Sequence, residues 1–418
     1  MVFFLYHNGG HMTETAFVLN TLFLLFCGCL VMFMALGFAM LEAGSVRSKS
    51  VGVILIKNIG LYSIAGLMYY LIGYNLMYVG VDGGFFGIPT PFQIDDTDVL
   101  AGDYSSGYAS EAGWFFQMVF VATAASIVSG ALAERIKIWP FFFFVILLTG
   151  VLYPTIGAWT WGEGWLYELG FKDFAGSTIV HSVGGWAALM GAILLGARRG
   201  RFDEEQIQPL RGNSLPLVTM GTFILWFGWF GFNGGSQLSM SSADDAMAVA
   251  KIMANTNMAA AAGAIAAMMF YVFQKKRIDV TLVLNGALAG LVAITAEPYA
   301  PSIPLAIVIG AAGSILMILA SLLLNRLKID DVVGAVPVHL VAGIWGTIAV
   351  IFSNPEASLS VQLIGIAAVG AFMTITSFII WAAMKYTVGI RLHWSREDRG
   401  PDLSELGVKA YYMEEGKA

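Results

Sequence analysis

Two histidines occupy equivalent positions in two similar stretches of a strongly apolar chain. The stretches read DFAGSTIVHSVGG from Asp173 and DVVGAVPVHLVAG from Asp331, and they contain His181 and His339. They coincide at six positions, which include both the aspartate and the histidine. An imidazole changes its protonation near neutral pH and can either donate or accept a hydrogen bond. A pair of them could therefore relay protons or guide a small polar solute.

The aspartate precedes the histidine by eight residues in both stretches. A carboxylate at the start of a helix can cap free N–H groups. We predict this role for Asp331. For Asp173 we predict either this role or a place in a binding site. The histidines lie about two turns further along, where an ionisable side chain within a membrane normally faces a cavity or a partner. The alternative is a pair of histidines that hydrogen-bond only to neighbouring hydroxyl groups.

Three further segments combine aromatic and polar residues, namely FFQMVF at 115–120, WTWGEGW at 159–165 and WFGFNGGS at 229–236. Aromatic faces attract cations, and tryptophan does so most strongly. A serine beside them can accept a hydrogen bond from an N–H donor. Tryptophan and tyrosine also collect at membrane interfaces, so the segments could instead be interfacial anchors.

The elements that position these residues are predicted to be transmembrane helices. Of the 418 residues 58% are hydrophobic and 12% are charged, whereas about 25% are charged in an average soluble domain. A bilayer core requires about 20 apolar residues per helix. Eleven such stretches run over residues 16–44, 52–80, 113–133, 138–158, 173–197, 214–234, 246–273, 281–296, 303–325, 333–352 and 362–388. We therefore predict an all-α polytopic membrane protein with eleven transmembrane helices.

Basic residues predict the orientation of the helices, because lysine and arginine near helix ends are retained on the cytoplasmic side. They gather in alternate loops, at Arg47 and Lys49, Arg135 and Lys137, 198–211, 275–277, and Arg326 and Lys328, and again in the tail. This pattern predicts an outer N-terminus and a cytoplasmic C-terminus in a plasma or inner membrane. The net charge of −6 gives no indication of a nucleic-acid partner.

The repeated histidine stretches divide the membrane region, residues 13–388, into two halves. Each stretch begins the last helix of a five-helix half, over about 13–197 and 214–352. An odd number of helices per half makes the two repeats inverted, and such repeats place the substrate path at their interface. The eleventh helix, about 362–388, is predicted to brace the bundle. Residues 1–12 form an N-terminal extension or a cloning remnant, and residues 389–418 form a cytoplasmic tail.

Several motifs in order resemble the Amt/Mep/Rh family of ammonium transporters. They are MLEAGSVRSKS at 40–50, GALAERI at 130–136, DFAGSTIVH at 173–181, WFGFNGGS at 229–236 and ALAGLVAIT at 287–295. The resemblance extends from about residue 13 to Tyr411. Within the family, a tryptophan at the position of Trp161 favours the Amt branch over the Rh branch. It implies a homotrimer in which each subunit has its own pore of eleven helices.

The resemblance also implies roles for individual residues. The matching positions are Phe120, Trp161 and Ser236 at an external site for ammonium or methylammonium, Phe120 and Phe232 at a stacked phenyl gate, and His181 and His339 in the pore. Asp173 matches a carboxylate that organises the external site. The tail residues Asp402, Gly407 and Tyr411 match the family, whereas Leu406 stands where relatives often have a histidine. In many relatives a PII signalling protein plugs the cytoplasmic mouth.

The sequence therefore predicts an ammonium transporter that recruits NH4+, deprotonates it, and passes NH3, with or without the proton, through an apolar pore. The alternative is an ammonium sensor, or transceptor, that binds ammonium and signals through its cytoplasmic side. A membrane enzyme is disfavoured because the sequence has no metal-ligand cluster, nucleophile motif or cofactor loop. No cofactor is expected.

Overall fold

The computed structural model describes residues 12–202, 208–274 and 276–411, and within them the chain is helical without a β-strand. The predicted N-terminal extension, apart from Met12, and the end of the predicted tail lie outside the described residues. The all-α class predicted from the apolar stretches is confirmed.

Eleven apolar helices follow one another along the described chain. They are α1 (Glu14–Ser45), α2 (Ser48–Tyr78), α3 (Ser110–Ala131), α4 (Ile138–Glu168), α5 (Ser177–Leu195), α6 (Leu215–Gly235), α7 (Ala243–Phe273), α8 (Val280–Ile294), α9 (Ile303–Arg326), α10 (Val336–Phe352) and α11 (Leu359–Thr387). Nine are long and apolar enough to cross a membrane, but α8 and α10 are shorter than the about 20 residues that a straight crossing requires. The number of eleven crossings therefore stays a prediction.

Equivalent helices pack against each other in the two predicted halves. In the first half α1 packs on α3, α3 on α5 and α2 on α4. In the second half the equivalent helices do the same, with α6 on α8, α8 on α10 and α7 on α9. The halves meet where α1 packs along α6 and where α5 contacts α10. The repeated histidine helices therefore lie against each other at the interface of the repeats.

Helix α11 braces the bundle from one side. The Trp381 ring stacks on Phe144 of α4 with 4.1 Å between ring centroids, and its Nε1 donates to the carbonyl of Ala187 in α5. Nearer the other end of α11, Gln362 Nε2 donates to the carbonyls of Lys172 and Thr347. One helix thus fastens elements from both repeats, as predicted.

Large apolar side chains cover much of the outer surface of the bundle. Leu22, Phe26 and Phe33 on α1 are more than half exposed, as are many residues on other helices. A water-soluble chain would not expose so many such groups together. Lipid, or another copy of the chain, therefore has to cover this surface.

The loops predicted to be cytoplasmic meet at one end of the bundle in a buried ion network. Asp330, before α10, accepts two hydrogen bonds from the Arg198 guanidinium, at 2.7 and 3.0 Å. Arg198 also lies beside Glu134, which pairs with Arg47. Burial alone would raise the pKa of Asp330, but the hydrogen bonds and charge of Arg198 outweigh it and lower the pKa to about 2. Four separate loops are tied together in this way.

Replacing Asp330 by asparagine is expected to destabilise the protein by about 3–5 kcal/mol, because the buried Arg198 would lose its two carboxylate hydrogen bonds and keep only the longer contact with Glu134. The measurement is thermal unfolding of purified protein in detergent. A depressed carboxyl pKa contributes stability above its unfolded value, near 3.8, and this contribution disappears as the pH falls through about 2. The gap between wild type and Asp330→Asn should therefore close over that acidic range.

Asp398→Asn is the matched control for this substitution. Asp398 also pairs with an arginine, Arg199, but about half of each side chain is exposed. Exposed ion pairs contribute only about 0–1 kcal/mol. If the two variants unfolded at the same temperature, the buried network would contribute no more to stability than an exposed ion pair.

The described part of the tail docks on the same end of the bundle. The carboxylate of Asp402 accepts hydrogen bonds from the backbone N–H groups of Gly52 and Val53, at the start of α2. Gly407 has a φ of +73°, in the left-handed region where glycine is favoured. The tail is therefore in direct contact with a membrane helix.

Candidate functional site

The two histidine stretches share their local structure as well as their sequence. The fourth residue of each is a left-handed glycine, Gly176 at φ +107° and Gly334 at φ +79°, and π-helical turns follow at Ser177–Ser182 and Val336–Val341. Each turn contains its histidine. Such turns are rare and are found frequently at functional sites. The sequence repeat thus presents His181 and His339 in equivalent ways.

The predicted aspartate caps are present in both repeats. The carboxylate of Asp173 accepts hydrogen bonds from four successive N–H groups, those of residues 176–179, at 2.8 to 3.1 Å. Asp331 accepts from the N–H groups of Gly334 and Val336. The capping interpretation is therefore confirmed. Because both Asp173 oxygens already accept two hydrogen bonds, this carboxylate supports the site rather than acting as a free ligand.

The two histidines meet in the centre of the molecule. Their Nδ1 atoms are 3.1 Å apart, and the rings lie 18° from parallel with centroids 5.2 Å apart. His181 is fully buried and His339 is 4% exposed. In the described part of the chain neither ring hydrogen-bonds to a hydroxyl group, so the hydroxyl alternative is wrong.

The contact between the rings makes their hydrogen-bonding roles complementary. When both are neutral, one Nδ1 carries the proton and donates to the other. The two Nε2 atoms then differ, one being an acceptor and the other a donor. His181 Nε2 is buried without a hydrogen-bond partner in the described structure. A small molecule with both N–H groups and a lone pair could satisfy it.

Aromatic rings form a continuous column that leads to this pair. Centroid distances are 6.0 Å from Trp161 to Phe120, 4.0 Å from Phe120 to Phe232 and 5.4 Å from Phe232 to His181. The Trp161 ring meets Phe120 edge to face, at 84°. The structure therefore brings together five of the seven predicted site residues in one line through the bundle.

The phenyl rings of Phe120 and Phe232 close this column. They are stacked at 29°, and they are 1% and 0% exposed. Because closely packed rings leave no space between their faces, an ion or molecule can pass only when a ring moves. This burial within the bundle disfavours the alternative that the two phenylalanines are interfacial anchors.

The other two predicted residues lie beside the column, Asp173 at Trp161 and Ser236 at Phe232. Ser236 follows Phe232 by one turn, and its Oγ donates to the Phe232 carbonyl at 2.8 Å, which leaves its lone pairs able to accept. The carbonyl of Asp173 accepts a hydrogen bond from Trp161 Nε1 at 3.0 Å. Asp173 thus fixes both the indole and the start of α5.

Sequence reasoning missed three residues near the column. Trp229 stacks on His181 with 4.9 Å between centroids, although it lies within a segment that the sequence singled out. Glu42 and Lys57 are fully buried charged residues on α1 and α2. Their charge within apolar stretches was the signal that could have found them. The described residues contain no cluster of side chains able to hold a metal ion.

Comparisons with known proteins identify relatives of this chain in sequence and in fold. The Ammonium Transporter Family matches residues 22–411. Ammonium transporter Amt2 of Archaeoglobus fulgidus is 39% identical over 93% of this chain and 87% of its own length. A solved structure described as a sensor Amt protein has a TM-score of 0.86, with 34% identity over 94% of this chain and 99% of that one. Mep2 of Candida albicans has a TM-score of 0.79 and 28% identity over 90% and 87%.

Proposed function

Because the chain belongs to the ammonium transporter family, we propose that it captures NH4+ at Trp161, Phe120 and Ser236 and passes NH3 through the histidine pair. The observation that carries this proposal is the unbroken column of rings ending at two histidines in mutual contact. Family membership also confirms that the chain is not an enzyme.

An apolar path can separate ammonium from potassium, whereas a ring of oxygens does so poorly. The two cations are nearly equal in size, but potassium has no proton to release. Moving a charge through a dry protein interior is costly, and a neutral NH3 molecule avoids that cost. The buried phenyl pair, Phe120 and Phe232, supplies such a dry barrier.

Each part of the column has its own task in this mechanism. The indole face of Trp161 attracts the cation, and the Ser236 hydroxyl oxygen accepts a hydrogen bond from one of its N–H groups. Ammonium then gives a proton to a solvent water molecule at the capture site, and NH3 crosses when the phenyl rings move. Beyond them His181 and His339 offer both a donor and an acceptor, which match the N–H groups and lone pair of NH3. The proton either returns outside or crosses separately along the histidines.

Purified protein in liposomes tests this function directly. We expect ammonium uptake that saturates with external concentration and that potassium neither replaces nor blocks. Recording the current in the same vesicles distinguishes NH3 passage alone from net NH4+ transfer. Absence of uptake above that of protein-free vesicles would contradict the proposal.

A second function, ammonium sensing, is favoured by one observation, the similarity over nearly the whole chain to a structure described as a sensor. In that case ammonium would bind at the same external site, and the tail at the α2 start would carry the response. Binding without appreciable flux in the liposome experiment would favour the sensor. Saturable flux favours the transporter.

The proposal also includes the assembly, the membrane orientation and the partners of the protein. We expect a homotrimer in the cell membrane, with the ion network of Asp330 and Arg198 on the cytoplasmic side and the N-terminus outside. The exposed apolar side chains would contact lipid and neighbouring subunits. A PII signalling protein is the expected regulator at the cytoplasmic face, where the docked tail lies.

A further inference from the structure

Two oppositely charged side chains lie inside the membrane region without a part in the function proposed above. Glu42 is on α1 and Lys57 is on α2, and neither exposes any surface. Charged residues within membrane spans are costly and usually serve a substrate or proton path. The groups around Glu42 and Lys57 indicate which kind of path they serve.

Ser129 on α3 joins the two charges. Its hydroxyl donates to Glu42 Oε2 at 2.7 Å, while its carbonyl accepts from Lys57 Nζ at 2.8 Å. The Lys57 ammonium also lies 4.7 Å from the centre of the Phe141 ring. Opposite charges held in this way offset much of the cost of burying each one. Both side chains can therefore remain charged although they are buried away from water.

Glu42 shares a cavity with His339. The cavity has a volume of about 20 Å³, enough for about one water-sized molecule, and its mostly apolar walls include Phe38, Leu288 and Val338. Among the described residues no group donates a hydrogen bond to Glu42 Oε1, although the Asn58 amide lies close to the carboxylate. A residue with free acceptor capacity thus lines the same small cavity as His339.

The cavity depends on a glycine in its wall. A Cβ atom at Gly130 would stand 2.5 Å from a methyl group of Val333 and 3.5 Å from Glu42 Cγ. A side chain there would clash with Val333 and would occupy space next to Glu42. The absence of one keeps the space beside Glu42 open.

We propose that Glu42 is the inner proton acceptor of the pore. A proton that ammonium releases crosses by way of the histidines and forms an O–H bond with the Glu42 carboxylate. NH3 that reaches the cavity then takes this proton: the O–H bond breaks and an N–H bond forms from the nitrogen lone pair. NH4+ leaves, and Glu42 is again an anion paired with Lys57. The inference rests on the proposed transport function.

The charged groups around this site are few. Lys57 is the partner of Glu42, and Arg135 acts on Lys57 from the cytoplasmic end of α3. The positive charge of Lys57 stabilises the carboxylate between cycles. Arg135 donates to backbone carbonyls, among them that of Asp330, and is held away from the cavity.

The test compares ammonium-driven current per folded protein in liposomes for wild type, Glu42→Gln and the double variant Glu42→Gln/Lys57→Met. The double variant leaves no unpaired buried charge, so it folds even where the single one fails. We expect the current to fall at least about tenfold in both. This is less than the 10²–10⁴-fold typical of a positioned acid or base, because water can partly replace the carboxylate.

Glu134→Gln is the matched control, since Glu134 is also buried near this end but does not line the cavity. Its current per folded protein should equal that of wild type. Wild-type current in the double variant would overturn the proposal and leave the pair as a purely structural one. Uptake by wild type without any current would overturn it while the transport function stands. No wild-type uptake at all would overturn both.

Discussion

Replacement of both His181 and His339 by leucine is expected to lower ammonium transport by on the order of a hundredfold, or to abolish the exclusion of potassium. A positioned group that exchanges protons commonly contributes 10²–10⁴-fold to a rate. The chain should still fold, because each ring is the polar partner of the other at 3.1 Å and the double replacement leaves neither unpaired. A single replacement would leave one buried imidazole alone and should be less stable.

The structure offers a matched control on the same two helices. The hydroxyls of Thr178 and Thr347 are also in mutual hydrogen-bond contact, at 2.6 Å, and are buried, but they lie outside the column of rings. Thr178→Val with Thr347→Val removes a polar pair in the same way and should leave transport close to that of wild type. Ammonium uptake and potassium permeation would be measured for all three proteins in liposomes. Unchanged uptake and unchanged potassium exclusion in the leucine variant would rule out a role for the histidines.

The centre of the site was accessible from sequence because its polar residues are rare in their surroundings. Two aspartates and two histidines at equal spacing within apolar stretches predicted both the caps and the pairing of the helices. Inverted repeats place equivalent residues on either side of one interface, so His181 and His339 were expected to be close. Their Nδ1 contact required coordinates, since spacing along a chain does not determine ring orientation.

Other features were inaccessible or overlooked for separate physical reasons. The stacking of Trp229 on His181 depends on how α6 packs against α5, which no local pattern reveals. Glu42 and Lys57 were visible as charges, but only the packing of α1, α2 and α3 joins them through Ser129. The sequence analysis placed both within apolar stretches, because the apolar flanking residues dominate the mean hydropathy of a membrane span.

Two helix starts were predicted too early at places where the backbone departs from a regular α-helix. The predicted fifth and tenth stretches start at 173 and 333, whereas α5 and α10 begin at Ser177 and Val336 with π-helical turns. The difference is physical: the residues before each turn are held by the aspartate carboxylate in a non-helical conformation. Apolarity alone does not distinguish a capping loop from the helix that follows it.

Substitution of Trp161 by leucine is expected to weaken ammonium capture about 30-fold with little effect on folding or assembly. A partly dry cation–π contact contributes about 2 kcal/mol, and each 1.4 kcal/mol is a factor of ten. Trp161 is suited to this role because the Asp173 carbonyl holds its Nε1 and its ring meets the buried Phe120. An interfacial anchor would need only an amphipathic ring, without this fixed orientation.

Trp165 provides the comparison that separates these two roles. It lies in the same outer segment, packs on Trp159 and Phe85, and does not contact the column. Trp165→Leu should therefore leave the concentration dependence of methylammonium or ammonium uptake unchanged, while Trp161→Leu shifts it to about 30-fold higher concentration. Both would be measured beside the yield of assembled protein. Equal concentration dependence in the two variants, with a reduced yield for Trp161→Leu, would make Trp161 an anchor, and the cation would then have to be captured elsewhere on the outer face.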